Sequence, residues 1–440
     1  MQTLKLTKKY ETYPEYKDSG VEWLGKIPKG WKLNNLQHLF TKVKRMGFEN
    51  EQLLSVYRDL GVIIKSSRDD NYNKASDDLS TYQLVECGDL AINKMKAWQG
   101  SIAVSEHRGI VSPAYFICKP LSKNNSRFIH YLLRSDIYIK QYERNSGGVR
   151  NDQWDLNYER FRKLEVGIPE ISEQTKIAKY LDEKTSSVDQ IIERKQKLIE
   201  LLREKRTAVI NHVVTKGLDP KVGLVESGVN WIGKIPKEWE VSSIKTLLKM
   251  KITDGPHTTP VLLENGIRFI SAESIQANNT IDFNKNRGFI SRNDHVEFCK
   301  KANPKRDDIF MVKSGATTGR VAIVETDSEF SIWSPLALIR TDVNKALPKY
   351  IYFFLQSGLF QDQVKFSWSF GTQQNIGMRV IENLMILYPS LGEQKGIVKY
   401  LESKMPNFEI AIQKVEKTIE TLQEFKSSLI SNVVTGKIKV

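Results

Sequence analysis

Cysteine is scarce in this 440-residue chain, which has only Cys87, Cys118 and Cys299. Three cysteines exclude a disulfide scaffold, and their spacing fits no zinc ribbon or finger. No apolar run approaches the ~20 residues a membrane span requires. The first residues, MQTLKLTKKYETYPEY, hold no apolar core, which excludes a secretory signal. The expectation is a soluble, cytoplasmic protein. Acidic residues are outnumbered, 52 against 66 basic ones, giving a formal charge of +14. That excess suits a polyanionic partner, although charge alone does not select one. At ~150 residues per domain the length allows about three units, each able to bury a core.

Catalytic signatures are missing as well. A methyl-transferring enzyme acting on a base amine needs a Gly-rich loop for the methyl donor and an Asn/Asp-Pro-Pro-aromatic motif. Neither is present. Ser112–Tyr115 (SPAY) is a distant lookalike, and its counterpart WSPL breaks the pattern, so a strand edge is the simpler reading. A helicase needs GxxxxGK[ST]; KSGATTGR, Lys313 to Arg320, has the glycines without the terminal pair. Asp69, Asp70, Asp77 and Asp78 cluster among Ser, Asn and Lys, as in a polar loop rather than a metal site. The six histidines are scattered, and His257 near Asp254 fits a local hydrogen bond better than a catalytic dyad. The chain reads as non-catalytic, with no cofactor of its own.

What the chain does have is a copy of itself. SGVEWLGKIPKGW at Ser19–Trp31 returns as SGVNWIGKIPKEW at Ser227–Trp239, an offset of 227 − 19 = 208. PEISEQTKIAKYLD from Pro169 returns as PSLGEQKGIVKYLE from Pro389, an offset of 220, and INHVVTKG from Ile210 returns as ISNVVTGK from Ile430 at the same offset. Each half is therefore an entry motif, a variable block and a long helical segment. We divide the chain into an entry segment 1–33, a block 34–168, a helix 169–217, a second entry segment 218–241, a second block 242–388 and a second helix 389–440. The blocks echo each other faintly: GDLAINK with DDIFMVK, GSIAV with GRVAI, VSPAYFI with WSPLALI. These short β-branched runs between turn residues predict strands.

In the helical segments Ser172 is the expected N-cap, with Glu173 and Gln174 in the first turn. Apolar residues recur at heptad spacing: Leu181, Val188, Leu202 and Val209 in one series, Ile177, Ile191 and Leu198 in another, widened by Ile192, Ile199 and Leu201. The second copy gives Leu401, Phe408, Val415, Leu422 and Leu429. Lysine and threonine interruptions disfavour an open-ended zipper, so a helix pair within one chain is the simpler solution. From Leu181 to His212 such a helix runs about 48 Å, more than one turn of B-DNA.

At this point the sequence resembles the specificity subunit of type I restriction–modification systems. The likeness covers nearly the whole chain. It rests on the doubled entry motif ending IPKGW and IPKEW, the EQ-x-x-I-x-x-Y-L openings at Glu173 and Glu393, and the VVT endings at Val213 and Val433. It rests further on ITDGPHTTP (Ile252–Pro260), NKMKAWQGSIAV and GATTGRVAI. Pro256 stands where that stretch carries a small polar residue, and the first block has no clear copy of it, so the two readers should differ. The resemblance implies an α/β (α+β) protein. It has two target-recognition domains related by pseudo-two-fold symmetry, joined by two long helices in an antiparallel coiled coil. It implies a bipartite, asymmetric double-stranded DNA target, two methyltransferase subunits docked on the helices, and motor-nuclease restriction subunits. S-adenosylmethionine, ATP and Mg would sit on those partners. An adaptor whose coiled coil scaffolds proteins without reading DNA is the alternative; the excess charge and two unlike Gln/Asn/Arg-rich loop sets argue against it. A fused restriction enzyme lacks its motifs.

Reading bases requires forked donors on loops, with Lys and Arg on phosphates. In block one the candidates are Asn93, Lys94, Lys96, Trp98 and Gln99, and in a second loop Arg144, Asn145, Arg150, Asn151 and Gln153. Block two offers Lys313, Ser314, Thr317, Thr318 and Arg320, then Ser369, Thr372, Gln373, Gln374 and Asn375, with His257, Thr258 and Thr259 as a third set. Lys42, Lys44 and Arg45 are candidates for a phosphate clamp. The entry tryptophans Trp23, Trp31, Trp231 and Trp239 suit core packing, with a docking surface for a partner subunit as the other reading.

Overall fold

The computed structural model describes residues 10–68, 75–148, 154–370 and 374–440. It resolves into two compact units. Unit 1 holds the chain up to Arg194 together with Lys417–Val440; unit 2 holds Lys195–Glu416. Each unit thus takes the first part of one long helix and the last part of the other.

In unit 1 the entry segment forms an antiparallel pair, Tyr16–Asp18 with Lys26–Pro28. The strand Lys32–Asn35 then pairs with Glu165–Ile168, the strand that leads into the first long helix. The block is everything between those two neighbouring strands. Unit 2 repeats the plan: Leu224–Glu226 with Lys234–Pro236, then Glu240–Ser243 with Met385–Tyr388. A block closed on one ladder can diverge inside while its two ends stay fixed.

Inside each block lies a four-stranded antiparallel sheet. In unit 1 its strands are β1 (Phe40–Val43), β2 (Leu90–Asn93), β3 (Ile102–Val104) and β4 (Tyr115–Pro120), in spatial order β1-β4-β2-β3. In unit 2 they are β5 (Thr253–Asp254), β6 (Ile309–Val312), β7 (Val321–Ile323) and β8 (Leu336–Ile339), in the same order, β5-β8-β6-β7. The predicted strands are present. The register corrects the sequence pairing in one place. Leu90 faces Cys118 and Ile309 faces Ile339, so Cys118 rather than Ile117 matches Ile339. The shared Ser-Pro therefore misaligns by one residue, and in a strand one residue exchanges the two faces.

The long helices are α1 (Ile171–Lys216) and α2 (Leu391–Val434). α1 starts one residue before Ser172, so Ser172 lies in the first turn and is not the N-cap. In α2 the cap is Ser390, whose Oγ accepts from the Glu393 amide at 3.3 Å. Within unit 1, Ile177, Ala178 and Leu181 of α1 share a core with Leu429, Val433 and Val434 of α2, and Lys426 pairs with Asp189 at 2.6 Å. Within unit 2, Ile210, Val213 and Val214 pack with Ile397, Val398, Leu401 and Met405, and Arg206 pairs with Glu409 at 3.2 Å. Partners rise in number along one helix as they fall along the other, so in both units the helices run antiparallel. Ile191, Leu198 and Leu201, expected in the stripe, are exposed.

The repeated Glu-Gln has the same role in each copy. Gln174 and Gln394 are inaccessible to solvent. Gln174 Nε2 donates to the Pro169 carbonyl at 2.9 Å, and its Oε1 accepts from the Asn125 amide at 2.8 Å. Gln394 makes the same bonds with the Pro389 carbonyl and the Leu347 amide, at 2.9 and 2.8 Å. Asn125 and Leu347 are the N-caps of matching helices, Ser126–Leu133 and Pro348–Leu355. Beside them the indoles of Trp31 and Trp239 donate to Glu173 and Glu393 at 3.2 and 3.1 Å. Trp31 and Trp239 are core residues and Trp23 packs on Tyr138 at 5.2 Å; Trp231, grouped with them from sequence, is 52% exposed.

Replacing Gln174 by Leu strands an amide and a carbonyl away from water, which costs about 2–4 kcal/mol. Urea unfolding should show that loss for Gln174→Leu and less than ~0.5 kcal/mol for the exposed neighbour Lys176→Ala.

Candidate nucleic-acid interface

The loop between β2 and β3 of unit 1 is built around a short helical turn, Ala97–Gln99. Buried Ala97 anchors it and leaves Lys96 and Gln99 exposed. Gly100 ends the turn at φ +93°, and its counterpart Gly319 does so at +94°. A Cβ on Gly100 would lie 2.9 Å from Ile139 Cδ1, and one on Gly319 2.7 Å from Gln361 Oε1. Two of the proposed readers are committed to this fold. Asn93 Oδ1 accepts from the Met95 amide at 3.1 Å, and the Trp98 indole donates to the Met95 carbonyl at 3.0 Å. Lys94 Nζ lies 5.5 Å from the centre of the Phe116 ring.

The second loop of unit 1 comes alongside. Arg144, exposed, ends the helix Asp136–Arg144. Asn145 caps it, with Nδ2 donating to the Gln141 carbonyl at 2.8 Å, so its side chain is structural. The hairpin Ser146–Gly147 with Asp155–Leu156 follows, and the Leu156 amide donates to the Lys94 carbonyl at 3.0 Å. Trp98 and Trp154 stand 5.9 Å apart. Arg150, Asn151 and Gln153 lie outside the described residues.

Unit 2 repeats this junction. The Ile376 amide donates to the Lys313 carbonyl at 2.9 Å, and the Gly315 amide to the Gln374 carbonyl at 3.0 Å. Ser369 pairs with Asn375 in the matching hairpin, whose Gln374 and Asn375 are exposed. Thr318 Oγ1 donates to the Gly315 carbonyl at 2.7 Å, which makes it a turn former. Thr317 is half-buried and Arg320 exposed, with Arg320 Nη1 3.5 Å from the Ile275 carbonyl. Thr372 and Gln373 lie outside the described residues.

Lys313 is not free. Its Nζ sits 3.2 Å from Asp254 Oδ2, with 12% of the side chain exposed. Asp254 is inaccessible to solvent and also holds Lys301 at 2.5 Å and the exposed His257 at 3.1 Å. Burial alone would push its carboxyl up; hydrogen bonding and charge from Lys301 and Lys313 overcome that and hold it below the usual carboxylate range. The ITDGPHTTP stretch is thus tied to the β6–β7 loop through one carboxylate, with Thr258 and Thr259 exposed beside His257.

The phosphate-clamp expectation is corrected in part. Arg45 pairs with the buried Asp89 at 2.5 Å, and Lys42 Nζ lies over the rings of Phe116 and Tyr158, at 4.5 and 5.0 Å; Lys44 is exposed. Asp308, the counterpart of Asp89, takes Arg340 at 2.6 Å, so the two units fill one buried acidic position with arginines that follow different strands, β1 in unit 1 and β8 in unit 2.

A cleft of about 870 Å³ opens in unit 1, and Asn93, Lys96, Trp98 and Gln99 are among its lining residues. Tyr57, Arg58 and Lys65 line it as well, and no sequence motif marked them. Their signal was only a hairpin, Leu54–Tyr57 with Gly61–Ile64, inside an unremarked stretch. No helix among the described residues is long and apolar enough to cross a membrane.

Comparison with known proteins agrees with this duplicated plan. The model of the type I restriction modification DNA specificity domain matches twice, at residues 28–201 and 236–421. The chain is 22% identical over 436 residues to the putative type I restriction enzyme MjaX specificity subunit of Methanocaldococcus jannaschii, covering 95% of this chain and 96% of that protein. It is 21% identical over 443 residues to the EcoKI specificity subunit of Escherichia coli K12, covering 94% and 90%. Among solved structures, a chain from work on complex assembly and conformational transition of the type I R-M system superposes with a TM-score of 0.64 at 14% identity, covering 93% of this chain and 98% of that one. None of these matches favours a plain coiled-coil adaptor.

Two substitutions test the local electrostatics. Asp254→Asn leaves two lysines without their carboxylate; discounted for the exposure of Lys301, the loss is about 2–3 kcal/mol at neutral pH. It shrinks as pH falls through the lowered pKa of Asp254, and chemical unfolding at two pH values checks it. His130 is held far down, to about 3, by desolvation and by the nearby Arg134 and Arg127. The unfolded chain takes up that proton near pH 6.5 and the folded one only near 3. Its contribution is therefore complete above 6.5 and lost on acidification, at up to about 1.4 kcal/mol per pH unit. His130→Gln should flatten the stability profile between pH 6 and 4.

Proposed function

The chain belongs to the family of type I restriction–modification DNA specificity subunits, and from that membership we propose that each of its two units reads one half of a bipartite, asymmetric DNA sequence. The reading blocks are 34–168 and 242–388. The observation that carries this is the contrast between scaffold and loops. Trp31–Glu173 and Trp239–Glu393 repeat, as do the Gln174 and Gln394 bonds. At matching loop positions one unit carries Lys96, Trp98 and Gln99, the other Gly315, Thr317 and Thr318, and the residue after the shared glycine is Ser101 in one and the exposed Arg320 in the other. A scaffold kept twice around two different loop sets suits two different half-sites.

The exposed residues of the joined loops are the base-edge candidates: Lys96, Gln99 and Arg144 in unit 1, and Arg320, Gln374, Asn375 and His257 in unit 2. Arginine donates twice to guanine, glutamine donates to N7 and accepts from N6 of adenine, and lysine neutralises phosphates. Asn93, Asn145, Thr318 and Lys313 hold the loops in shape. Catalysis lies elsewhere. Two methyltransferase subunits bind this chain, and restriction subunits join them in the cytoplasm. S-adenosylmethionine, ATP and Mg are bound by those partners and not by this chain.

The test is a genome-wide map of methylated bases with and without this chain, the methyltransferase partner present in both. A two-part asymmetric motif should vanish with the chain; an unchanged map counts against the proposal. Lys96→Ala with Gln99→Ala should relax one half of the motif, and Arg320→Ala with Gln374→Ala the other. Binding should also weaken steeply with salt.

A further inference from the structure

The cleft of unit 1 has a wall that lies outside every loop the sequence singled out. Its hairpin pairs Leu54 with Ile64 through to Tyr57 with Gly61, so the tip is Arg58–Leu60. Arg58 and Leu60 are exposed, Leu60 at 55%. Tyr57, Arg58 and Lys65 line the cleft together with Lys96, Trp98 and Gln99, and the Arg58 side chain passes close to Gly100 of that loop.

One side chain holds this wall against the rest of the unit. Arg134, the residue that ends the helix Ser126–Leu133, donates from Nη1 to the carbonyls of Tyr57 at 3.3 Å and Ile102 at 3.0 Å, and from Nη2 to the carbonyl of Arg58. Tyr57 and Arg58 belong to the hairpin; Ile102 begins β3, directly after the Lys94–Ser101 loop. A single guanidinium therefore ties both lips of the cleft to one point, a task for a rigid fork of donors and not for a flexible ammonium. Gly61, at φ +77°, lets the hairpin lie close: a Cβ there would stand 3.1 Å from His130 Cε1.

Unit 2 uses the same structural position with different chemistry. Gln356 ends the matching helix Pro348–Leu355, and its Oε1 accepts from Asn279 Nδ2 at 2.9 Å and from Arg206 Nη2 at 3.0 Å. In each unit the residue after this helix fastens a segment of its own block, by a guanidinium in one and a carboxamide in the other.

We propose that the hairpin Leu54–Ile64, with Lys65 directly after it, is a second DNA-reading element of unit 1, contacting the half-site through Tyr57, Arg58 and Lys65, and that Arg134 is its positioning residue. This rests on the DNA-reading function proposed above. Arg58 and Lys65 on the same concave surface as Lys96 and Gln99 supply phosphate neutralisation and base-edge hydrogen bonds, while the Trp98 N–H stays on the Met95 carbonyl. Displacing the hairpin would misplace half of the contacts without touching the other half.

The test uses this chain assembled with its methyltransferase partner, presented with a library of randomised DNA duplexes; the captured duplexes are sequenced. The wild type should enrich a two-part motif. Arg58→Ala with Lys65→Ala should lower enrichment at one half by about tenfold and leave the other half as it was. Lys96→Ala with Gln99→Ala should relax that same half. Arg134→Met should relax it too, with partial recovery in Arg134→Lys. If Arg134→Met unfolds the unit, the Arg58→Ala/Lys65→Ala pair still decides. Both halves unchanged in Arg58→Ala/Lys65→Ala, with the Lys96/Gln99 pair relaxed, overturns this inference alone. A wild type that enriches no two-part motif overturns the DNA-reading function and this inference with it.

Discussion

Everything variable in this molecule hangs on a small polar knot at the first turn of each long helix. A buried glutamine there satisfies the carbonyl behind it and the cap amide of a block helix, while the adjacent glutamate takes the indole of the entry motif. Such groups are tolerated inside a core only when every bond is made. That condition fixes three chain segments at once: the entry strand, the block helix and the long helix. Because unit 2 meets the condition with Gln394, Glu393 and Trp239, the two units share a frame although their blocks have diverged.

The frame frees the loops. Each block starts and ends on one two-stranded ladder, so changes between the ends need not disturb the knot. The β2–β3 loop and its counterpart keep a left-handed glycine at the same place, and a hairpin joins each loop through an amide to Lys94 or Lys313. Beyond that they part. One unit sets a hairpin wall under Arg134; the other builds a lysine, histidine and aspartate cluster around Asp254. One scaffold with two surfaces is the physical form of an asymmetric reader.

Much of the frame was legible because periodicity and repetition survive divergence. The strands and the pairing of two helices within one chain follow from β-branched runs and apolar spacing, while the antiparallel direction of that pair was implied by the family resemblance. The failures have local causes. Ser172 looked like a cap because Ser favours caps, but the chain turns helical one residue earlier. The Ser-Pro match shifted β4 by one residue because turn length is not written in strand composition. Trp231 repeated the motif of Trp23 yet stays exposed, since a motif records ancestry and not burial. At the loops, residue type alone could not separate readers from turn formers: Asn93 and Asn145 are spent on backbone bonds. Tyr57, Arg58 and Lys65 were invisible because only the tertiary fold carries them to the cleft.

The central claim is that DNA is held by the joined loops and not by the shared frame. Amide hydrogen exchange on the assembled complex, with and without a duplex bearing its target, tests this most directly. The account predicts added protection at 94–101 and 154–156, and at 313–320 and 374–376, with no change around Gln174 and Gln394. Protection confined to the long helices, with both loop sets unaffected, would contradict it.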